Sequence, residues 1–241
     1  STLCAWFGMN DIDSAKASFK DQAVIFKRKH NWLMCWLYIG TFGSFIGFAA
    51  GFALLTKQVF PAIDPTKLAF LGPLVGALMR VVGGWLSDKF PASKVTQASF
   101  IIMILAVIGV MIFLPQNGQG GSFIGFFASF MLLFAATGIG NASTFAQAPR
   151  IFSALHRHHA KVFGLSEAEA DNNAAKESAA VVGFMGAVGA YGGFFIPKSF
   201  GTSIDLTGSA MMALICFILF YCCCIAINWW FYARKNAEVK C

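Results

Sequence analysis

Charged side chains are so sparse in this chain that the gaps between them dictate what it can fold into. Asn31 to Thr56 form 26 consecutive positions without a formal charge, Leu68 to Ser87 form 20 interrupted only by Arg80, and Val95 to Pro149 form 55. Ser178 to Pro197 and Leu206 to Ala233 add stretches of 20 and 28. A helix needs about 20 apolar residues to cross the roughly 30 Å hydrocarbon core of a bilayer. The longest stretch therefore holds two crossings, separated at the turn-rich Pro115-Gln-Asn-Gly-Gln-Gly-Gly121. The expected fold is an all-α membrane protein with six transmembrane helices, at 31–56, 68–87, 95–114, 122–149, 178–200 and 206–233, in one bundle spanning residues 31–241.

Composition excludes the competing classes. With 57% hydrophobic and 12% charged residues, against roughly 25% charged in soluble domains, the chain suits neither a water-soluble globule nor a disordered segment. The net charge of +7 would suggest nucleic acid only on a soluble fold with a basic face, so no nucleic-acid partner is expected. The charges instead report topology. An even number of crossings puts both ends on one side, and that side carries 14 of the 18 Lys and Arg residues, against Lys57, Lys67 and Lys198 opposite. The positive-inside rule then makes both termini cytoplasmic. Trp32, Trp36, Trp85, Trp229 and Trp230 lie near the same ends of their spans, where interfacial aromatic belts form.

Residues 1–30 read as a cytoplasmic connector. Cys4 to Met9 resembles the interfacial end of a preceding helix, and no signal-peptide pattern is present, so the chain reads as one half of a larger protein. The seven Cys lie in apolar stretches or near the ends and form no disulfide framework. His156, His158 and His159 with Arg157 fit no zinc spacing, and Glu167, Glu169 and Asp171 read as solvated residues of a loop from Arg150 to Glu177, with a short interfacial helix as the alternative for these acids. With no nucleophile–base pair and no phosphate-binding or metalloprotease motif, neither an enzyme nor a cofactor is expected.

Arg80 is the one charge in the interior of a span, Lys198 lying at the far end of the fifth, and no Asp or Glu lies within the six. It either snorkels to the interface, about 12 Å away, or forms a cationic site awaiting an anion. Tyr38 and Asn141 lie at a similar depth, about 12–14 Å from the same ends of their helices. Phe42 is one turn from Tyr38, and Phe145 one turn from Asn141. Such rings beside a guanidinium suit a narrow, dry slot for a flat anion, although each ring alone could equally be packing. Gly138-Ile-Gly140-Asn141-Ala-Ser-Thr-Phe145 is either a packing surface or a mobile, substrate-lining stretch.

Gly83-Gly84-Trp-Leu-Ser-Asp88-Lys89 resembles the loop signature of major facilitator transporters. Together with Trp36-Leu-Tyr38-Ile-Gly-Thr-Phe42, Gly76-Ala-Leu-Met-Arg80-Val-Val-Gly-Gly84, Gly138 to Phe145 and Gly192-Gly-Phe-Phe-Ile-Pro-Lys198, it is similar to the nitrate/nitrite porter family. The resemblance covers the C-terminal six helices of a twelve-helix porter and implies a major facilitator half-bundle in a bacterial inner membrane. It implies nitrate and nitrite as partners, together with the lipid bilayer and an N-terminal half carrying a second arginine. It further implies that Arg80 binds the anion, that Tyr38, Phe42 and Asn141 surround it with Phe145, that Gly183 lies nearby, and that Gly83, Gly84, Asp88, Lys89, Gly138 and Gly140 serve gating or structure. Without a carboxylate in these spans, alternating-access exchange fits better than proton symport. The alternatives are a truncated or split half that is inactive alone and a non-transporting membrane interaction subunit.

Overall fold

A computed structural model of the chain describes Trp6, Gly8 and residues 22–115, 120–164 and 166–239. Most of the 1–30 connector, with Cys4 to Met9, and the middle of the 115–121 turn lie outside the described residues. Six helical segments are long and apolar enough to cross a membrane: Lys29–Val59, Pro65–Lys89, Ala92–Phe113, Phe123–Phe163, Glu167–Thr207 and Met211–Ala233. The first comprises α1 (Lys29–Tyr38) and α2 (Ser44–Val59), joined by a π-helical turn at Ile39–Gly43. Then follow α3 (Leu71–Lys89), α4 (Ala92–Phe113) and α5 (Phe123–Phe163). The fifth segment comprises α6 (Glu167–Ala190) and α7 (Gly192–Thr207), and α8 (Met211–Asn228) runs into a second π-helical turn at Trp229–Ala233. No strand occurs among the described residues.

Local chemistry sets the breaks. Phe90, with extended backbone, and Pro91 separate α3 from α4. Gly164 (φ 67°) and Gly208 (φ 71°) end α5 and α7 in the left-handed conformation that glycine adopts without a Cβ clash. Ser166 restarts the chain by accepting a hydrogen bond from the Glu169 N–H, with Glu167 and Glu169 in the first turn where the helix dipole favours acids.

These caps correct one expectation. The segment from Arg150 to Glu177 is not a loop: α5 continues past Pro149 to Phe163, and α6 begins at Glu167. Pro149 removes only one backbone donor, the one that would serve the Phe145 carbonyl. Beyond it, buried Ile151 and Phe152 sustain an apolar stripe against the bundle.

Central α5 packs on α3, α4 and α6, while α2 packs on α7, α8 on α4, and α1 on α6. One part of the interior is an aromatic stack: fully buried Phe52 and Phe130 have ring centroids 5.2 Å apart, and Phe48 meets Phe217 edge-on at 5.6 Å. Toward the end that holds residues 28–30 and 234–239, here the terminal end, the interior turns polar. Thr96 bonds Ser143 at 2.7 Å and receives the Gln147 amide at 2.5 Å, and Asn228 donates to Gln97 at 2.6 Å. Between helices in lipid, such side-chain pairs and small residues supply cohesion that apolar surface alone does not. Trp32, Trp36, Trp85, Trp229 and Trp230 are all exposed on the outside of the bundle. Of the described thiols, Cys35 and Cys224 are buried, while Cys216, Cys222 and Cys223 face outward.

Candidate functional site

Tyr38 ends α1 and Phe42 lies in the π-helical turn that follows, where a wider helical turn often marks a functional site. The two rings stack with centroids 5.0 Å apart at 24°. Tyr38 is 3% exposed, and its hydroxyl donates to Asn141 Oδ1 at 3.0 Å. One turn on, Thr41 and Thr144 share a 2.8 Å hydrogen bond, while Thr144 also donates to the Gly140 carbonyl. These bonds lock the first span to α5 and fix the phenol's direction. Asn141 is 1% exposed, and its Nδ2 has no hydrogen-bond partner among the described residues, so the site retains a buried N–H donor. Burying such a group unpaired costs about 1–3 kcal/mol.

Arg80 reaches this place because α3 lies unusually close to α5. A Cβ on Gly138 would collide with the Gly76 carbonyl, and one on Gly83 would come within 2.7 Å of the Ile139 backbone. Arg80 sits between those two contacts, four residues after Gly76 and three before Gly83. Arg80 is exposed in this chain, forms no ion pair or hydrogen bond among the described residues, and lies within electrostatic reach of Tyr38. On the open face of α3, then, a cation with no partner among the described residues stands near a phenol whose hydroxyl is already committed to Asn141.

The other expected residues distribute unevenly. Gly138, Asn141 and Phe145 share a face of α5 by their spacing, but Phe145 is 41% exposed and stacks on no ring among the described residues. Gly183 is exposed with open space where a side chain would be, and lies apart from Tyr38 and Phe42. The glycine that touches them is Gly189: a Cβ there would come within 3.0 Å of both rings. Its signal in the sequence was only membership of the glycine run from Gly183 to Gly193. A Cβ on Gly140 would press on Thr41 and Ser99, whereas one on Gly84 would meet nothing within 4 Å. At the end of α3, Asp88 lies 3.5 Å from Arg150 on α5, Ser87 donates to the Gly83 carbonyl, and Lys89 covers the Trp85 ring at 4.0 Å. Among the described residues no group of His, Cys, Asp and Glu could hold a metal ion.

No protein-family model matches the chain. It is 48% identical over 238 residues to the nitrate/nitrite transporter NarU of Salmonella typhimurium, covering 99% of this chain and 51% of that protein. It is 46% identical to NarU of Escherichia coli, covering 100% of this chain and 52% of that protein. Identity is 36% to the "Probable nitrate/nitrite antiporter NarK2" of Thermus thermophilus, over 99% and 50% of the two chains. The chain thus spans about half the length of the curated relatives it matches. Similarity running from end to end, on a six-helix membrane bundle, identifies this chain as a member of the nitrate/nitrite porter family.

Proposed function

We propose that this chain is the C-terminal six-helix half of a nitrate/nitrite porter that exchanges the two anions by alternating access, with both termini in the cytoplasm of a bacterium. The observation that carries the reading is Arg80, an intramembrane guanidinium with no carboxylate partner among the described residues, set near a phenol held by Asn141. A planar guanidinium presents paired donors that match a planar oxyanion, which the point charge of lysine does not. Tyr38 and Asn141 orient around the anion, and the Asn141 Nδ2 supplies a further donor. Phe42 dries one wall, and Phe145 faces the cavity completed by the second half.

That second half is the partner the surface calls for. Leu78 (62% exposed) and Val81 (74% exposed) lie on α3 beside Arg80, while Gly84 on α3 and Gly183 and Gly186 on α6 have open space around them. In parallel-repeat transporters the two bundles rock around a site between them, so an exposed arginine flanked by such surfaces suits a half-site. With no carboxylate in the apolar stretches 31–56, 68–87, 95–114, 122–149, 178–200 and 206–233 to carry a proton, the anion itself resets the site.

The test is Arg80→Lys in the whole porter, assayed by nitrate uptake into cells lacking other nitrate transporters. Losing the paired geometry is expected to reduce uptake about tenfold or more, on the scale of hydrogen bonds to charged groups. Uptake above half the wild-type rate, at equal protein in the membrane, refutes the assignment of Arg80.

A further inference from the structure

Away from the anion site, the terminal end holds a cavity of about 490 Å³ lined by all four histidines of the chain: His30, His156, His158 and His159. One carboxylate on its wall is buried. Glu177, on α6, is 6% exposed, yet it sits where the charge pattern of the sequence suggests a solvated segment. Arg28, just before α1, grips it with two bonds, Nε to Oε1 at 2.7 Å and Nη2 to Oε2 at 3.2 Å. From α5, His156 Nε2 meets Oε2 at 2.6 Å. A single carboxylate thus joins the segment that enters the first span, the extension of the fourth and the start of the fifth. A buried acid survives only when paired this fully, and removing one partner leaves an exposed cost.

Among the described residues, one imidazole, that of His156, takes part in the joint. Arginine is always charged, whereas imidazoles ordinarily change charge between about pH 5 and 8. The other charged groups described around it bond elsewhere. Lys29 bonds Glu238 of the tail at 2.6 Å, His30 lies 3.5 Å from the same carboxylate and bonds Tyr232 at 3.0 Å, and Arg157 pairs with Asp171 at 3.0 Å. His158 and His159 are exposed, His159 stacking on Phe163, and they add charge to the cavity when protonated without touching Glu177.

We propose that Arg28, Glu177 and His156 form a proton-responsive latch that fastens α6 to α5 and to the segment preceding α1, and that tightens when His156 takes up a proton. The imidazolium donates a charge-assisted bond to Glu177; the neutral ring offers only a weaker, tautomer-dependent one. Because α6 also carries Gly189 against Tyr38 and Phe42, the latch sets where that helix is held, about 18 Å along its axis from the anion site. Glu177 acts through position alone and touches no substrate.

Amide hydrogen exchange across 24–30 and 172–179, measured at pH 6 and pH 8 on the protein isolated from its own membrane and corrected for intrinsic exchange, tests this. Protection of both segments is expected to be about tenfold higher at pH 6, on the scale of one charge-assisted bond. His156→Gln, which keeps an N–H donor but does not titrate, is expected to abolish the difference while leaving protection across 100–110 unchanged. Glu177→Gln is expected to lower protection at both pH values and to remove the pH response. A wild-type protein without the difference, or a H156Q variant that keeps it, overturns the latch. Because the readout is local protection, it is independent of whether Arg80 binds nitrate.

Discussion

Gly83 and Gly84 are neighbours on α3 with opposite expectations on gaining a methyl group. A Cβ on Gly83 would sit 2.7 Å from both the Cα and the carbonyl oxygen of Ile139 and 3.1 Å from Ala142 Cβ, whereas one on Gly84 would meet nothing within 4 Å. Ordinary contacts of this kind begin at 3.4 Å, so Gly83→Ala needs about 0.7 Å more room (3.4 against 2.7 Å) in a seam made of backbone on the α5 side, which cannot swing aside as a side chain can. Overpacking of this sort costs about 1–3 kcal/mol, a roughly 5- to 150-fold loss in the folded-to-unfolded ratio. Both substitutions gain the same helix propensity over glycine, so their difference isolates the steric term. Unfolding in mixed micelles titrated with sodium dodecyl sulfate, followed by tryptophan fluorescence, should move the Gly83→Ala midpoint to lower detergent and leave Gly84→Ala at or above wild type. Equal midpoints for the two variants would refute the close approach of α3 and α5 on which the placement of Arg80 depends.

Two further outcomes follow from contacts already described. Tyr38→Phe removes the hydroxyl that serves Asn141 Oδ1 at 3.0 Å and leaves both ends of a buried amide unpaired, an expected loss of about 1–3 kcal/mol in the same unfolding assay; an unchanged midpoint would contradict the bond. In the tail, the hydrogen bond from Lys29, followed by the charge of His30, holds the Glu238 carboxyl below its ordinary value. A lowered carboxyl stabilises the folded form above the unfolded pKa of about 4.3 and loses that contribution only as pH falls through the lower folded value. Segment 234–239 should therefore stay docked down to about pH 4 and come free in stronger acid, and a carbon-13 titration of the Glu238 carboxyl with its midpoint above 4.3 would reverse that sign.

Much of the fold is legible because lipid is an unforgiving solvent: a charge left in a span is costly, so charge-free stretches of about 20 residues mark the crossings directly. The meeting of Tyr38 and Asn141 is foreshadowed by similar depth, since two helices packed side by side bring residues of equal rise together. Beyond the membrane that logic lapses. Residues 150–163 and 167–177 carry charge freely and are helical all the same, held by Ile151 and Phe152 within the bundle and by the caps at Gly164 and Ser166. Nothing near Glu177 announces its burial, because its partner Arg28 is 149 positions away. Gly183 and Gly189 belong to one glycine run, and only the helix phase of α6 against α1 decides which of them touches an aromatic ring.

The π-helical turn at 39–43 makes the first span keep two appointments at once. An α-helix advances about 100° per residue, so the extra residue accommodated in a wider turn offsets the two parts of the span by about that angle. Before it, Tyr38 points to Asn141 on α5; after it, Gly47 and Gly51 receive Ile196 and Phe200 of α7. Excising one residue from the turn would let an unbroken α-helix close, yet it would swing one of these surfaces away from its partner. The deletion is thus an error of clocking more than of length, and a relative without that residue has to rebuild either its contact to α5 or its glycine seam with α7.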